Sequence, residues 1–251
     1  MIWSQRWLDC LFLHFPVPPA ALSRLVPPRL EVEAFAGSAW ISYVLFRLKL
    51  RPAWLPLVPG FSSLVELNLR TYVRHRGQSG ICFLRIFADN RLSIAAARLL
   101  TPLPYEHARM AYGSRSASCL PTADPGRRLL VQFRSPTSFS KMKPGTLDAW
   151  LLERYRLFVG GQNGSVLAAD AEHSPWQAAS LAPVVIENSL AADLSQDLGT
   201  HPAAAHYSPG VAARFHTFRT VAAQLADPGR RHEPSSPGSV VFHRVFRSRG
   251  E

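Results

Sequence analysis

The chain is poor in lysine. Lys49, Lys141 and Lys143 are its only lysines, and the rest of its 28 basic residues are arginine. Set against 17 acidic residues, this leaves a formal net charge of +11. A nucleic-acid binder gathers such charge on one face or carries a known motif. Here the arginines are scattered, and arginine, alanine and proline share G/C-rich codons. The excess therefore predicts no nucleic-acid partner and leaves a small anionic partner open. Cysteine is scarce too. Cys10, Cys82 and Cys119 are odd in number and far apart, which argues against zinc-type Cys/His spacing. They read as reduced, buried thiols, and neither a metal nor another cofactor is expected. No apolar run approaches the ~18 residues of a membrane helix. The stretch Cys10–Phe15 follows Asp9, is interrupted by His14 and runs into Pro16, Pro18 and Pro19. It does not read as a signal peptide. A cytoplasmic protein without a membrane partner is expected.

What the chain has is apolar surface: 47% hydrophobic residues against 18% charged, enough to form a core. Its pattern is mostly that of strands. Trp7–Phe15 reads as the first, followed by a short helix over Ala20–Leu25 that Pro27 and Pro28 end. Leu30–Phe35 and Ala39–Leu50 are strand-like, joined as a hairpin through Ala36, Gly37 and Ser38. The proline-rich apolar stretch Arg51–Gly60 reads as a loop, either a lid over a pocket or a cover lying flat on the core. Leu64–His75 and Ile81–Ala88 form a hairpin around Gln78 and Ser79. Arg91–Leu100 reads as a helix packed through Leu92, Ala95 and Leu99. Strands are expected again at Tyr105–Tyr112 and Leu129–Arg134. A helix capped by Thr146 covers Leu147 to about Glu153, with Asp148 in its first turn. Arg156–Val159 and Val166–Asp170 make a second hairpin, Trp176–Glu187 is extended, Ser189–Leu198 is a short helix and Val211–Thr220 a late strand. Many strands with few helices predict a mainly β (α+β) barrel or sandwich. One domain over residues 1–226 is expected, with a basic, poorly ordered tail at 227–251.

The strand Leu64–His75 carries the most information. Val65, Leu67, Leu69 and Val73 fall on one face; Glu66, Asn68, Arg70, Tyr72 and Arg74 fall on the other. Five alternate polar residues are either a solvent face or the wall of a cavity. As a wall they supply an acid, an amide, a carboxylate clamp and a phenol, a set suited to orienting a small anionic molecule. His107 and Arg109 make a second polar pair on one face of the Tyr105–Tyr112 strand. His14, between Leu13 and Phe15, reads as a core histidine with one hydrogen bond. No Ser–His–Asp pattern, phosphate loop or paired metal-ligand spacing is present.

The segment Ala88-Asp89-Asn90-Arg91-Leu92-Ser93-Ile94-Ala95-Ala96-Ala97-Arg98-Leu99-Leu100, running on to Pro104, resembles the central signature of the acetoacetate decarboxylase-like superfamily. There an Asp-Asn pair opens a helix that leads to a proline and two lysines. Leu22-Ser23-Arg24-Leu25-Val26-Pro27-Pro28-Arg29-Leu30-Glu31 resembles the same superfamily's helix and Val-Pro-x-x-Leu-Glu run. Trp7–Val17, Glu66–Val73, Pro104–Met110 and His173–Trp176 look like an uncharacterised, YqjF-like bacterial branch of it. The likeness runs from about Gln5 to about Thr220. It implies an antiparallel β-barrel or cone with a few short helices around it, and a pocket glutamate at Glu66. It also exposes a departure. The decarboxylase's first lysine forms a Schiff base, and its neighbour lowers that lysine's pKa. Here Tyr105 and Glu106 follow Pro104, and neither forms an imine.

Two readings follow. One is an enzyme acting without an imine on a small carboxylate or carbonyl compound, with Glu66, Tyr105, Glu106 and His107 catalytic and Asn68, Arg70, Tyr72 and Arg109 holding substrate. The other is a non-catalytic ligand-binding protein of the same fold. A homo-oligomer is compatible with either.

Overall fold

Period-two alternation dominates the chain, and in the computed structural model most of it becomes strand. The structure describes residues 2–51, 63–194 and 197–221. The expected loop at 51–60 lies, beyond Arg51, outside the described residues, as does the expected tail at 227–251. The strands begin with β1 (Ile2–Val17), β2 (Glu31–Val32), β3 (Ala39–Arg51), β4 (Ser63–His75), β5 (Gln78–Ala88), β6 (Tyr105–Tyr112), β7 (Ser116–Pro121) and β8 (Leu129–Gln132). They continue with β9 (Ser140–Lys141), β10 (Arg156–Gly160), β11 (Val166–Glu172), β12 (Gln177–Ser180), β13 (Val184–Asn188), β14 (Ala204–His216) and β15 (Arg219–Thr220). The helices are α1 (Pro19–Leu22), α2 (Arg91–Leu100) and α3 (Leu147–Leu152).

Strands β5, β10, β11, β14, β1, β3 and β4 are successive neighbours, and β4 pairs back onto β5. The sheet thus closes into a ring-like cone, and β6, β7, β8 and β13 continue from β5 as a second leaf. The sheet is antiparallel except at β5/β10 and β5/β6, which are parallel. The expected antiparallel cone thus carries two parallel pairings as well. A parallel neighbour needs a crossover, and α2 lies on the one between β5 and β6.

Both faces of the ring are buried. Outside it, Leu13, Phe15, Tyr43, Leu67, Leu69 and Phe87 pack against Ala108, Cys119 and Val131 of the leaf. Inside it, Phe12, Val44, Phe46, Leu64, Tyr72 and Ile81 pack with Ile94 of α2, Leu151 and Leu152 of α3, and Trp176. Glu66, Asn68, Arg70 and Tyr72 on the polar face of β4 are therefore interior, whereas Arg74 at its end is exposed.

Two bulges decide which residues look inward. In β1 the register with β3 shifts between Leu8 and Leu11, where Asp9 takes φ 54°. A one-residue bulge flips the alternation. Gln5 and Trp7 before it, and Cys10 and Phe12 after it, all reach the inside. The Asp9 carboxylate holds the kink by accepting hydrogen bonds from Arg47 at 2.6 Å and the Tyr207 hydroxyl at 2.9 Å. A second shift, opposite Leu69 and Arg70, leaves Leu84 of β5 unpaired with β4, so Phe83 and Ala88 both look inward.

Several expected elements change. β2 pairs with β4, not with β3, so the Leu30–Phe35 hairpin reduces to a single bridge, Phe35 to Ser38. Of the helix expected at 189–198, the described residues form one 3₁₀ turn, Ala192–Leu194, where Arg85 and Arg127 hold the Asp193 carboxylate. α2 buries Ser93 and Ile94 and leaves Leu92 and Leu99 exposed, a rotation from the expected face. The rotation follows from its start. Asn90 caps the Ser93 N–H, and Asp89 accepts from the Val65 N–H of β4. Among the described residues no helix is long and apolar enough to cross a membrane.

Candidate functional site

The interior of the ring is not filled. A cavity of about 280 Å³ remains there, with residues from all seven ring strands in its wall. α2 lies against it with Ile94, Leu100 and the small side chains of Ser93, Ala96 and Ala97. Among the described residues the wall includes a set of aromatic rings, Trp7, Phe12, Phe46, Phe83, Trp176 and Phe215. Into this apolar space β4 sends Glu66, Asn68 and Arg70 on alternate positions.

Glu66 is 5% exposed. Burial is the main influence on its carboxyl and pushes its pKa up to about 7, against the pull of hydrogen bonds from Tyr105 and Asn68. The Tyr105 hydroxyl donates to Glu66 Oε2 at 3.2 Å. Tyr105 is itself held: its strand pairs with β5, and Arg98 of α2 donates from Nε to its carbonyl at 2.9 Å. Burial and the nearby carboxyl together push the Tyr105 phenol well above its usual value. The β4 strand and Tyr105 therefore face one cavity.

Arg70 is 7% exposed. It donates to the Leu151 carbonyl at the end of α3 at 3.1 Å, and its Nε has no partner. Asn68 Oδ1 is likewise buried without a partner. Each such group is costly unless something meets it.

Tyr72, expected to hold substrate, is fully buried beneath α3 and outside the cavity wall. Its hydroxyl donates to the Leu151 carbonyl at 2.9 Å and lies 2.7 Å from Ser42 Oγ, which lies 2.6 Å from His14 Nδ1. The carbonyl can only accept, so the chain has one direction. Tyr72 donates to Leu151, Ser42 donates to Tyr72, and His14 donates from Nδ1. The His14 Nε2 lone pair is left bare and faces His206, at 5.3 Å between ring centres. Burial lowers the pKa of both histidines.

Glu106, His107 and Arg109 are not brought to the cavity. Glu106 points to the other face of β6, where it pairs with Arg85 and sits 3.9 Å from Arg127. His107 meets Thr122 Oγ1 at 2.8 Å, and Arg109 is exposed. The reason is alternation and distance along β6: Tyr105 alone enters the ring. Sequence reasoning missed Arg154, which lines the cavity, and the buried Glu33 that pairs with it at 2.9 Å. It also missed the inner ring of aromatics, whose membership depends on the two bulges. No lysine lines the cavity, and Lys49, Lys141 and Lys143 are all exposed. The three cysteines are free and buried, and burial drives their thiols upward, Cys82 to about 12. They are not activated nucleophiles. No metal-ligand cluster occurs among the described residues.

The profile of the DUF2071 family, described as an uncharacterized conserved protein, matches residues 4–212. The chain belongs to this family. The uncharacterized protein YqjF of Bacillus subtilis is 37% identical over 185 residues, covering 70% of this chain and 74% of YqjF. Solved structures extend the DUF2071 fold to acetoacetate decarboxylase-like enzymes. The enduracididine biosynthesis enzyme MppR, solved with pyruvate, superposes with a TM-score of 0.62 at 15% identity, covering 88% of this chain and 91% of that one. An acetoacetate decarboxylase-like enzyme of Sphingomonas wittichii RW1 gives 0.59 at 14% identity, covering 88% and 92%. At these identities the likeness is one of fold.

Proposed function

We propose that the cavity is an active site for acid–base chemistry on a small carbonyl compound bearing a carboxylate, run without an imine. One observation carries this reading: a carboxyl titrating near neutrality, Glu66, stands in an aromatic cavity with a phenol on it. A group with pKa close to the working pH is present in both forms and can take a proton and return it. Deprotonated Glu66 removes a proton from the carbon beside the carbonyl, leaving an enolate, and gives a proton back to that carbon. Tyr105 keeps the carboxyl in place and donates a hydrogen bond to whichever oxygen gains charge. Arg70 meets the substrate's carboxylate. A relative in fold that was solved with pyruvate supports a carbonyl acid as the kind of molecule held.

The test is exchange of carbon-bound protons for deuterium in pyruvate and in larger 2-keto acids, followed by NMR. We expect catalysed exchange whose rate rises with pH through about 7, because the base form of Glu66 does the work. Glu66→Gln should lower it roughly 100-fold or more, the usual yield of a general base. Exchange unchanged in that variant overturns the reading. The absence of lysine from the cavity wall favours a second reading, a binding protein of the same fold. Its signature is tight binding by the parent chain with no exchange at any pH.

A further inference from the structure

The cavity's charge and its shape make separate demands. Arg70 is buried, yet no carboxylate of the described residues lies within ion-pairing distance of it. Its one recorded hydrogen-bond acceptor is the Leu151 carbonyl, and its Nε is unpartnered. Arg154 is close by in the wall, its side chain 7% exposed. Its Nε donates to the Trp150 carbonyl at 2.8 Å and its Nη1 to Glu33 at 2.9 Å, while Nη2 is buried without a partner. Both guanidinium carbons sit over the Tyr72 ring, 5.8 Å and 5.3 Å from its centre. Glu33 does not balance this pole, because it also pairs with Arg74 at 2.8 Å. Buried positive charge with open N–H groups is a place for an anion.

Much of the remaining described wall is apolar, although Gln5, Arg156, His173 and His216 also line it. About 280 Å³ is the share of roughly nine liquid waters, or of a molecule with about a dozen non-hydrogen atoms. An acid of pyruvate's size would leave most of that volume to water against Trp7, Phe12, Phe46, Phe83 and Trp176. Between the two poles, Asn68 Oδ1 offers an unused acceptor that suits a hydroxyl or enol on the bound molecule, not a second carboxylate.

We infer that the cavity takes a monocarboxylic acid with a bulky apolar or aromatic body, its carboxylate held between Arg70 and Arg154 and its body against the aromatic wall. This rests on the proposed function for the choice of site, and it names the class of substrate. Affinity, not exchange, tests it. Calorimetry on the full chain would compare phenylpyruvate, pyruvate and the uncharged phenylacetone. We expect phenylpyruvate to bind at least roughly tenfold tighter than either, one partner lacking the body and the other the charge. Arg70→Met should bring phenylpyruvate down to the affinity of phenylacetone. Phenylacetone binding, unchanged in that variant, shows that the cavity is still formed. Arg154→Met should narrow the same gap without closing it. Equal affinity for pyruvate and phenylpyruvate, a gap that survives Arg70→Met, or no binding by any of the acids each overturns the inference. Strong preference for phenylpyruvate without any proton exchange overturns the acid–base reading and leaves this one standing.

Discussion

Glu66 holds its place at a cost in stability, and the cost has a sign. Its carboxyl titrates near 7 in the folded chain, well above the ordinary value near 4.5. Between those values the unfolded chain gives up the proton while the folded chain keeps it. Stability is therefore lost as pH rises through this window and stays lost above it, by roughly 3 kcal/mol. A glutamine has the same shape and never ionises. Glu66→Gln should match the parent in urea denaturation near pH 4.5 and exceed it by about 2–3 kcal/mol at pH 8. A variant less stable than the parent at pH 8 would show that the carboxylate is welcome in the ring, and with it the argument for a poised acid would go. This residue was legible in the sequence as one polar member of an alternating strand. Its burial was not, because alternation says which residues share a face and not which face meets water. Arg154 gave no such signal: its partner Glu33 is far away in sequence and its neighbours are ordinary helix-end residues.

At the scale of elements, the bulge in β1 does more for the site than any regular pairing. It turns Trp7 and Cys10 to the same side and so builds the aromatic wall. Its partner is Gly210 on β14, at φ 118°, where a Cβ would stand 1.9 Å from the Trp7 carbonyl oxygen. Backbone, not a flexible side chain, would have to give way. Gly210→Ala should cost at least about 2 kcal/mol, the strain of a positive φ plus the displaced strand. Gly37→Ala, with φ 85° and nothing within 4 Å, should cost less, and equal losses in thermal denaturation would mean that the close approach is not what matters. Most strands, the Thr146 cap of α3 and the two hairpins around β4/β5 and β10/β11 could be read from the chain, since turns and period-two runs are local. Asp9 in an apolar strand hinted at the bulge, but its partner glycine lies at the far end of the chain. The face of α2 that turns inward differs from the expected one for a related reason. Counting leucines favours Leu92 and Leu99, whereas α2 turns Ser93, Ile94, Ala96, Ala97 and Leu100 to the cavity and leaves Leu92 and Leu99 out.

For the whole molecule, the decisive fact is where its few amines lie. The ring-like cone is shared with enzymes at about the 15% identity at which only architecture is preserved, so chemistry must be argued from the residues inside it. An amine forms an imine readily when burial or a neighbouring cation keeps it neutral. Lys49 stands near the outer end of β3, Lys141 on the two-residue strand β9 and Lys143 just beyond it, all exposed, and the position after Pro104 is a tyrosine whose hydroxyl is turned to Glu66. Borohydride added to the protein with acetoacetate or pyruvate should therefore leave every lysine-containing peptide at its original mass. The measurement is peptide mass mapping after reduction, with the mixture held near neutral pH. Reduction of a ligand onto Lys49, Lys141 or Lys143 in substantial yield would require that lysine to reach the ring interior. The cone would then have to rearrange around a bound acid, and Glu66 would be an assistant to an amine rather than the acid–base group itself.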